Sequence, residues 1–237
     1  MAKIRKEKVI LYSFTKLSKQ VAKTLKEKFY NILIVEADEK KALQAKELGY
    51  EVVSLSLMED KNIIEAGICD KNIKAFFCLN DDNNDNLFVT LSVRNLNKTI
   101  KIISLSSDKQ TDKAMFLAGA NRVINPFDIG AIRIARLLHK PLILQVIDEI
   151  LFKEKDIDIE EITIEENTIF DGVYLEDLKK INNKDIIILG IQDKELSDKF
   201  IFFSTGINHK IDAGDTLVVL GKFHHLRKFR KELNRII

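Results

Sequence analysis

Three hydroxyls and an ammonium fall close together near the start of the chain, at Ser13, Thr15, Lys16 and Ser18. Hydroxyls and a lysine at the mouth of a helix favour an anion, because the first N–H groups there are unpaired and the helix dipole is positive. Two carboxylates follow at Glu36 and Asp38, with Glu36 standing 18 residues after Ser18. A carboxylate ending a strand can accept from the hydroxyls of a ribose, and an acid in the same place can instead cap a helix, as "ADEKKAL" would allow. The most polar run, "LNDDNNDN" (Leu79 to Asn86), adds Asn80 and Asp81. An EF-hand is excluded there. Its loop needs glycine at the sixth and glutamate at the twelfth position, and counting from Asn80 or Asp81 the twelfth residue is Leu91 or Ser92.

Catalytic chemistry is not specified. The four histidines are His139, His209, His224 and His225, and no Cys/His spacing suits zinc. Neighbouring residues on a helix diverge by about 100°, so His224 and His225 are not a chelating pair. No nucleophile–base pair or paired-carboxylate arrangement can be picked out, so no catalytic residue and no metal ligand is assigned. Cys69 and Cys78 lie in apolar contexts and read as small buried hydrophobes rather than a disulfide.

The elements that must position these groups alternate regularly. Strand candidates are Val9–Ser13, Ile32–Ala37, Glu51–Ser56, Ala75–Asn80, Lys101–Ser106 and Arg122–Asn125, with helix-length segments between them. Leu17, Val21 and Leu25 repeat at i, i+4, i+8. Gly49, Gly67 and Gly119 stand where helices need a left-handed C-terminal residue. Apolar strands separated by helices mean an α/β, Rossmann-like, doubly wound parallel sheet. Ligands in such sheets bind outside the carboxyl ends of the strands, which is where Ser13–Ser18, Glu36, Asp38, Asn80 and Asp81 fall. The phosphate turn of this fold normally reads G-x-G-x-x-G, and here those three positions are Ser13, Thr15 and Ser18. A left-handed Ser13 costs about 1 kcal/mol relative to glycine. Both an altered anion cradle and a plain strand–helix turn with a serine cap fit the residues.

The pattern changes after Pro126. "FDIGAIRIARLLHK" and "PLILQVIDEILF" read as two helices hinged at Pro141. Phe127, Ile129, Ile132, Ile134, Leu137 and Leu138 cover too much circumference for one core contact, so they pack between two lobes or against a second subunit. From Asp156 onward, strand signals dominate, with a short helical segment near Leu175 to Ile181 and a last helix from about Lys222. In that helix Phe223, Leu226, Phe229 and Leu233 form one stripe. The division expected is a Rossmann-like domain over residues 1–126, crossover helices over 127–155, and a small α+β C-terminal lobe over 156–237.

Composition sets the outer limits. The 237 residues carry a net charge of +2, too near zero to argue for nucleic acid. No apolar run reaches the ~18 residues of a membrane span. "MAKIRKEK" lacks the apolar core of a signal peptide. A cytoplasmic chain is expected.

Four passages together resemble the RCK (KTN) regulatory module of bacterial and archaeal potassium channels and of Trk/Ktr potassium transporters. They are "KVILYSFTKLSKQVAKTL", "ILIVEADEK", "NIIEAGICDKNIKAFFCLNDDNNDNLFVTLSVRNLN" and, most specifically, "AGANRVINPFDIGAIRIARLL". "IFDGVYLEDL" and "IDAGDTLVVLG" look like the companion RCK C-terminal (TrkA-C) domain, so the resemblance covers nearly the whole chain. It implies a ligand-sensing, non-enzymatic gating-ring module at the inner face of the cell membrane, attached to a potassium channel pore. A stand-alone Trk/Ktr-type subunit working with a transporter membrane subunit is the alternative. Pairing through Phe127, Ile129, Ile132, Leu137 and Leu138 into a homodimer, and commonly an octameric ring, is implied too.

The implied ligand is a nucleotide, ATP/ADP or NAD(H), held by Ser13, Thr15, Lys16, Ser18, Glu36, Asp38, Asn80 and Asp81, and the missing glycines count against NAD(H). Leu55-Ser56 replaces the Gly-Asp that often follows the third strand. Leu79, Ser104 and Ser106 stand where calcium-gated members carry acids, so that calcium site is expected to be absent. From other classes, an NAD-dependent oxidoreductase is opposed by the missing glycines and by the lack of a placed acid or base. A DNA-binding regulator is opposed by the absence of a helix-turn-helix.

Overall fold

The computed structural model describes residues 7–27, 30–150, 156–168, 170–180, 185–195, 200–206 and 209–233. Leu151, Phe152 and Ile181, included in helical segments above, lie outside them. The chain divides into two compact units, Met1–Ile134 and Ala135–Ile237.

In the first unit, six strands form one parallel sheet: β1 (Lys8–Tyr12), β2 (Asn31–Val35), β3 (Glu51–Val53), β4 (Ile73–Cys78), β5 (Lys101–Leu105) and β6 (Arg122–Ile124). Their spatial order is β3-β2-β1-β4-β5-β6, so the winding reverses between β1 and β4. The helices between them are α1 (Lys16–Glu27), α2 (Glu39–Glu47), α3 (Asp60–Glu65), α4 (Asn83–Leu96) and α5 (Lys109–Leu117).

Alternation along β1 divides its side chains between two apolar layers. Ile10 and Tyr12 join Leu33, Phe76 and Val89 on one side, while Val9 and Leu11 join Ile34, Ala22 and Ala45 on the other. Full burial of an isoleucine or leucine such as Ile10 or Leu11, both 0 % exposed, contributes about 1.5–3 kcal/mol each. Each strand stops one to three residues before the end expected from sequence, and the residues released, Ser13, Glu36 and Asn80 among them, make the loops at the carboxyl edge. Gly49, Gly67 and Gly119 hold φ of 76°, 84° and 105°, as the helix ends demand.

α4 and α5 are tied together by Arg94. Its guanidinium donates to the carbonyls of Gly119, Asn97 and Ile100 and to Asn121 Oδ1, at 2.7–3.1 Å. One correction concerns Cys69, which is exposed in the turn after α3, whereas Cys78 is buried, and both are free thiols. The apolar neighbours of Cys69 in sequence, Ile68 and Ala66, turn inward without it.

α6 (Pro126–His139) leaves the sheet under a tight cap: Asn125 Oδ1 accepts the amides of Phe127 and Asp128. None of its residues is buried. Phe127 is 74 % exposed and Leu138 81 %, and Ile129, Ile132, Ile134 and Leu137 are exposed with them. Pro141 opens α7 (Pro141–Asp148) at its first turn, and Leu144 alone is buried there. The boundary between the two compact units falls inside α6.

The second unit carries an antiparallel sheet of β7 (Ile157–Thr163), β8 (Ile186–Gln192), β9 (Phe200–Phe202) and β10 (Thr216–Lys222) in the order β7-β10-β8-β9. The helical segment before β8 is a 3-10 turn, Asp177–Lys180. α8 (Phe223–Leu233) covers one face, burying Leu226, Phe229 and Leu233 against Ile162, Leu217 and Val219. Phe223, expected on that stripe, is 55 % exposed, because it is the first residue where strand becomes helix and its amide bonds back to the Asp156 carbonyl.

Candidate functional site

The first turn follows directly from β1. Ser13 takes φ +71°, the left-handed conformation that the first glycine of the fingerprint would have adopted without strain. Thr15, at the second glycine position, is the cap of α1. Its Oγ1 accepts the Ser18 amide at 3.2 Å, and Ser18 Oγ returns a bond to the Thr15 carbonyl at 3.0 Å. The cap is therefore a threonine rather than a serine. Ser18 is fully buried, small enough to seat the helix against the sheet. Phe14 is buried between them, its ring edge-on to Tyr50 and the Lys19 ammonium 5.0 Å from its centroid.

Glu36 reaches into this turn. Its Oε2 accepts the Phe14 amide at 2.7 Å and the Ser13 hydroxyl at 3.3 Å, while Oε1 accepts the Asp38 amide at 2.9 Å. The carboxylate is 5 % exposed. A buried charge is tolerable when its oxygens are hydrogen-bonded, and these three donors supply that. The end of β2 and the first turn are thus in direct contact through Glu36.

At the β1/β4 switch point a second link closes the edge. Thr15 Oγ1 lies 3.2 Å from the Leu79 carbonyl, and the Leu79 amide donates to the Tyr12 carbonyl at 3.1 Å. Asn80 Nδ2 donates to Asp85 Oδ2 at 2.8 Å and lies 3.4 Å from the Tyr12 hydroxyl, while Asn86 bonds the Asn80 backbone on both sides. Burial pushes the Tyr12 phenol up to about 12.

The remaining candidates stand apart. Asp38 caps α2 through the Lys41 amide, which holds its carboxyl below the usual carboxylate range. Asp81 and Lys16 are exposed at the same edge. Asp82, unanticipated, caps α4 through the amides of Asn84 and Asp85. Ser104 and Ser106 are buried hydroxyls, Ser104 against Thr90 and Met115 and Ser106 bonded to Asp112.

Away from this edge, His209 Nε2 in the second unit lies 3.3 Å from Asp215 Oδ2 and 3.7 Å from Asp193 Oδ2. Asp215 also accepts the amides of Lys194 and Asp212, so the cluster ties two loops together. Only a view of the folded lobe brings these residues together, since Asp193 and His209 belong to separate loops. A groove of about 820 Å³ lies at the amino-terminal edge of the parallel sheet, lined by Glu7, Asn31, Asp70 and Lys74, and carries none of the candidate residues. Among the described residues, no three His, Cys, Asp or Glu side chains are placed to hold a metal ion, and no helix is long and apolar enough to cross a membrane.

Comparison with known proteins matches this arrangement. The TrkA-N domain model covers residues 9–126 and the TrkA-C domain model residues 159–234. Potassium channel protein 1 of Methanocaldococcus jannaschii is 25 % identical over 232 residues, spanning 94 % of this chain and 65 % of the relative. Probable potassium channel protein 2 of the same organism is 32 % identical over 113 residues, 46 % of this chain and 33 % of the relative. This chain therefore spans less than two thirds of either relative's length. Among solved structures, the GsuK RCK domain superposes with a TM-score of 0.51 at 16 % identity, covering 96 % of this chain and 46 % of that one. With both domain models in order along it, the chain belongs to the family of proteins that carry a TrkA-N domain followed by a TrkA-C domain.

Proposed function

We propose that this chain is the cytosolic, ligand-sensing regulatory module of a potassium channel, seated at the inner face of the cell membrane and acting by conformational change. Residues 1–126 form the sensing lobe, 127–155 the crossover through which two copies pair, and 156–237 the companion lobe. The observation that carries this reading is α6, whose apolar residues are all exposed in the single chain. An apolar face of this extent marks an interaction surface, and the occupant is a second copy. Pairing through Phe127, Ile129, Ile132, Leu137 and Leu138 gives a homodimer that can be repeated into a ring. The relatives' names supply the potassium channel context.

The sensing cleft is the carboxyl edge bounded by Ser13, Thr15, Lys16, Ser18, Glu36, Asp38, Asn80 and Asp81, and its ligand is a nucleotide. A ligand biases a pore only as far as it prefers one state of the assembly, so modest coupling repeated around a symmetric ring suffices. Light scattering on the purified chain at micromolar concentration is the test: a dimer or larger assembly is expected, and a monomer overturns the reading.

A further inference from the structure

The small net charge of the chain conceals an uneven distribution. Residues 1–50 hold twelve Lys or Arg against six Asp or Glu, whereas residues 151–200 hold fourteen acids against seven bases. Much of the positive charge lies on α1. At about 100° per residue, Lys16, Lys19, Lys23 and Lys26 fall within an arc of about 80°, each three or four residues from the next. Three of them are exposed and Lys19 is half-buried, and none pairs with a carboxylate among the described residues. Glu27, the one acid of the helix, is its last residue. Like charges at these spacings repel, and the first turn of α1 has no acid to complement the helix dipole. An anionic partner removes that cost.

The stripe continues onto α2. The Lys19 ammonium donates to Gln44 Oε1 at 3.3 Å, which marks the flank of α2 beside α1. Lys40 and Lys41 precede Gln44 by four and three residues and Leu48 follows it by four, so helical spacing puts all three on that flank. Leu48 is 57 % exposed. The face is therefore cationic with a bare apolar residue at its margin.

Lipid headgroups match this composition. Their phosphates take the ammoniums, while lysine stems and a leucine reach the acyl boundary behind. The inner face of a cell membrane presents such a negative surface. A nucleic-acid backbone would engage the lysines and leave Leu48 in water. We propose that the lysine face of α1 and α2 docks on anionic lipid headgroups. This rests on the reading above, which seats the chain at the inner face of the cell membrane, and names its partner there.

Vesicle sedimentation with the whole chain is the test. Vesicles of equal parts phosphatidylglycerol and phosphatidylcholine are expected to carry the chain down, vesicles of phosphatidylcholine alone to leave it in solution, and raised salt to release it. The Lys23→Gln, Lys26→Gln pair is expected to lower partitioning by about ten-fold or more, and Lys23→Gln alone, by about three-fold, decides the matter where the pair does not fold. Lys23→Arg, Lys26→Arg keeps the charge and the binding. Lys109→Gln, Lys113→Gln removes the same charge from α5 and is expected to change partitioning by less than about two-fold. No partitioning onto the anionic vesicles, equal losses in the α1 and α5 pairs, or a preference for duplex DNA over those vesicles overturns the lipid face. Light scattering reports separately on pairing: a dimer that ignores anionic vesicles overturns this inference alone, whereas a monomer overturns the reading on which it rests.

Discussion

Glu36 Oε2 accepts the backbone N–H of Phe14 at 2.7 Å, across 22 residues of sequence. The end of β2 and the turn after β1 are thereby one hydrogen-bonded unit, so the acid is part of the turn's stability as well as a candidate ligand contact. Glu36→Ala leaves the Phe14 and Asp38 amides without their acceptor and is expected to destabilise the chain by about 1–3 kcal/mol. Glu36→Gln keeps one acceptor oxygen and is expected to cost less. Urea denaturation of both variants checks the order, and equal costs would show that a neutral acceptor oxygen recovers nothing.

Ser13 offers a backbone test. At φ +71° serine carries strain that glycine lacks, of roughly 1–2 kcal/mol, against which glycine's looser unfolded chain weighs roughly 0.5–1 kcal/mol. Ser13→Gly relieves that strain but gives up the hydroxyl bond to Glu36, as Ser13→Ala does, so it is expected to melt above Ser13→Ala. Ser13→Ala keeps the strain, loses the bond to Glu36, and should melt lower. A lower melting temperature for Ser13→Gly than for Ser13→Ala would refute the strain assignment.

Arg94 joins the ends of α4 and α5 through four hydrogen bonds from one planar group. Lysine has neither the fork nor the number of directed donors. Arg94→Ala is expected to cost about 2 kcal/mol or more, and Arg94→Lys to recover only a minor part of it. Chemical denaturation gives the comparison.

Acid should weaken the chain through its helix caps. The amides of Lys41 and Thr111 hold the carboxyls of Asp38 and Asp108 below their ordinary value. A carboxyl whose folded value is depressed contributes stability above its unfolded value and loses it as pH falls through the folded one. Stability should therefore drop below about pH 4, and the drop should be shallower in the Asp38→Asn, Asp108→Asn double variant. Melting temperatures across an acid series measure it.

Much of the fold was legible because its signals are local. Apolar runs, helix periodicity and three glycines at helix ends point to six strands of a doubly wound sheet without tertiary knowledge, and Pro126 marks the start of α6. That the candidate residues gather at the carboxyl edge was legible, since carboxyl ends of strands follow from the winding. Its bonding was not. Whether Glu36 faces a ligand or its own turn depends on a carboxylate reaching across 22 residues, and Thr15 meets Leu79 only because β1 and β4 are neighbours. Cys69 and Phe223 were misplaced for a related reason. Both sit where an element ends, and there the chain's direction, more than residue type, decides exposure.

The bare surface of α6 also has a consequence for how the chain folds. A 14-residue helix with no buried residue has little beyond its Asn125 cap and local propensity to hold it, and isolated helices of this length are marginal in water. Its secondary structure then depends on protein concentration. Serial dilution followed by circular dichroism should show helix content falling as copies separate, while the parallel sheet of the first unit stays intact. On the pairing proposed above, α6 would be ordered by the encounter of two copies.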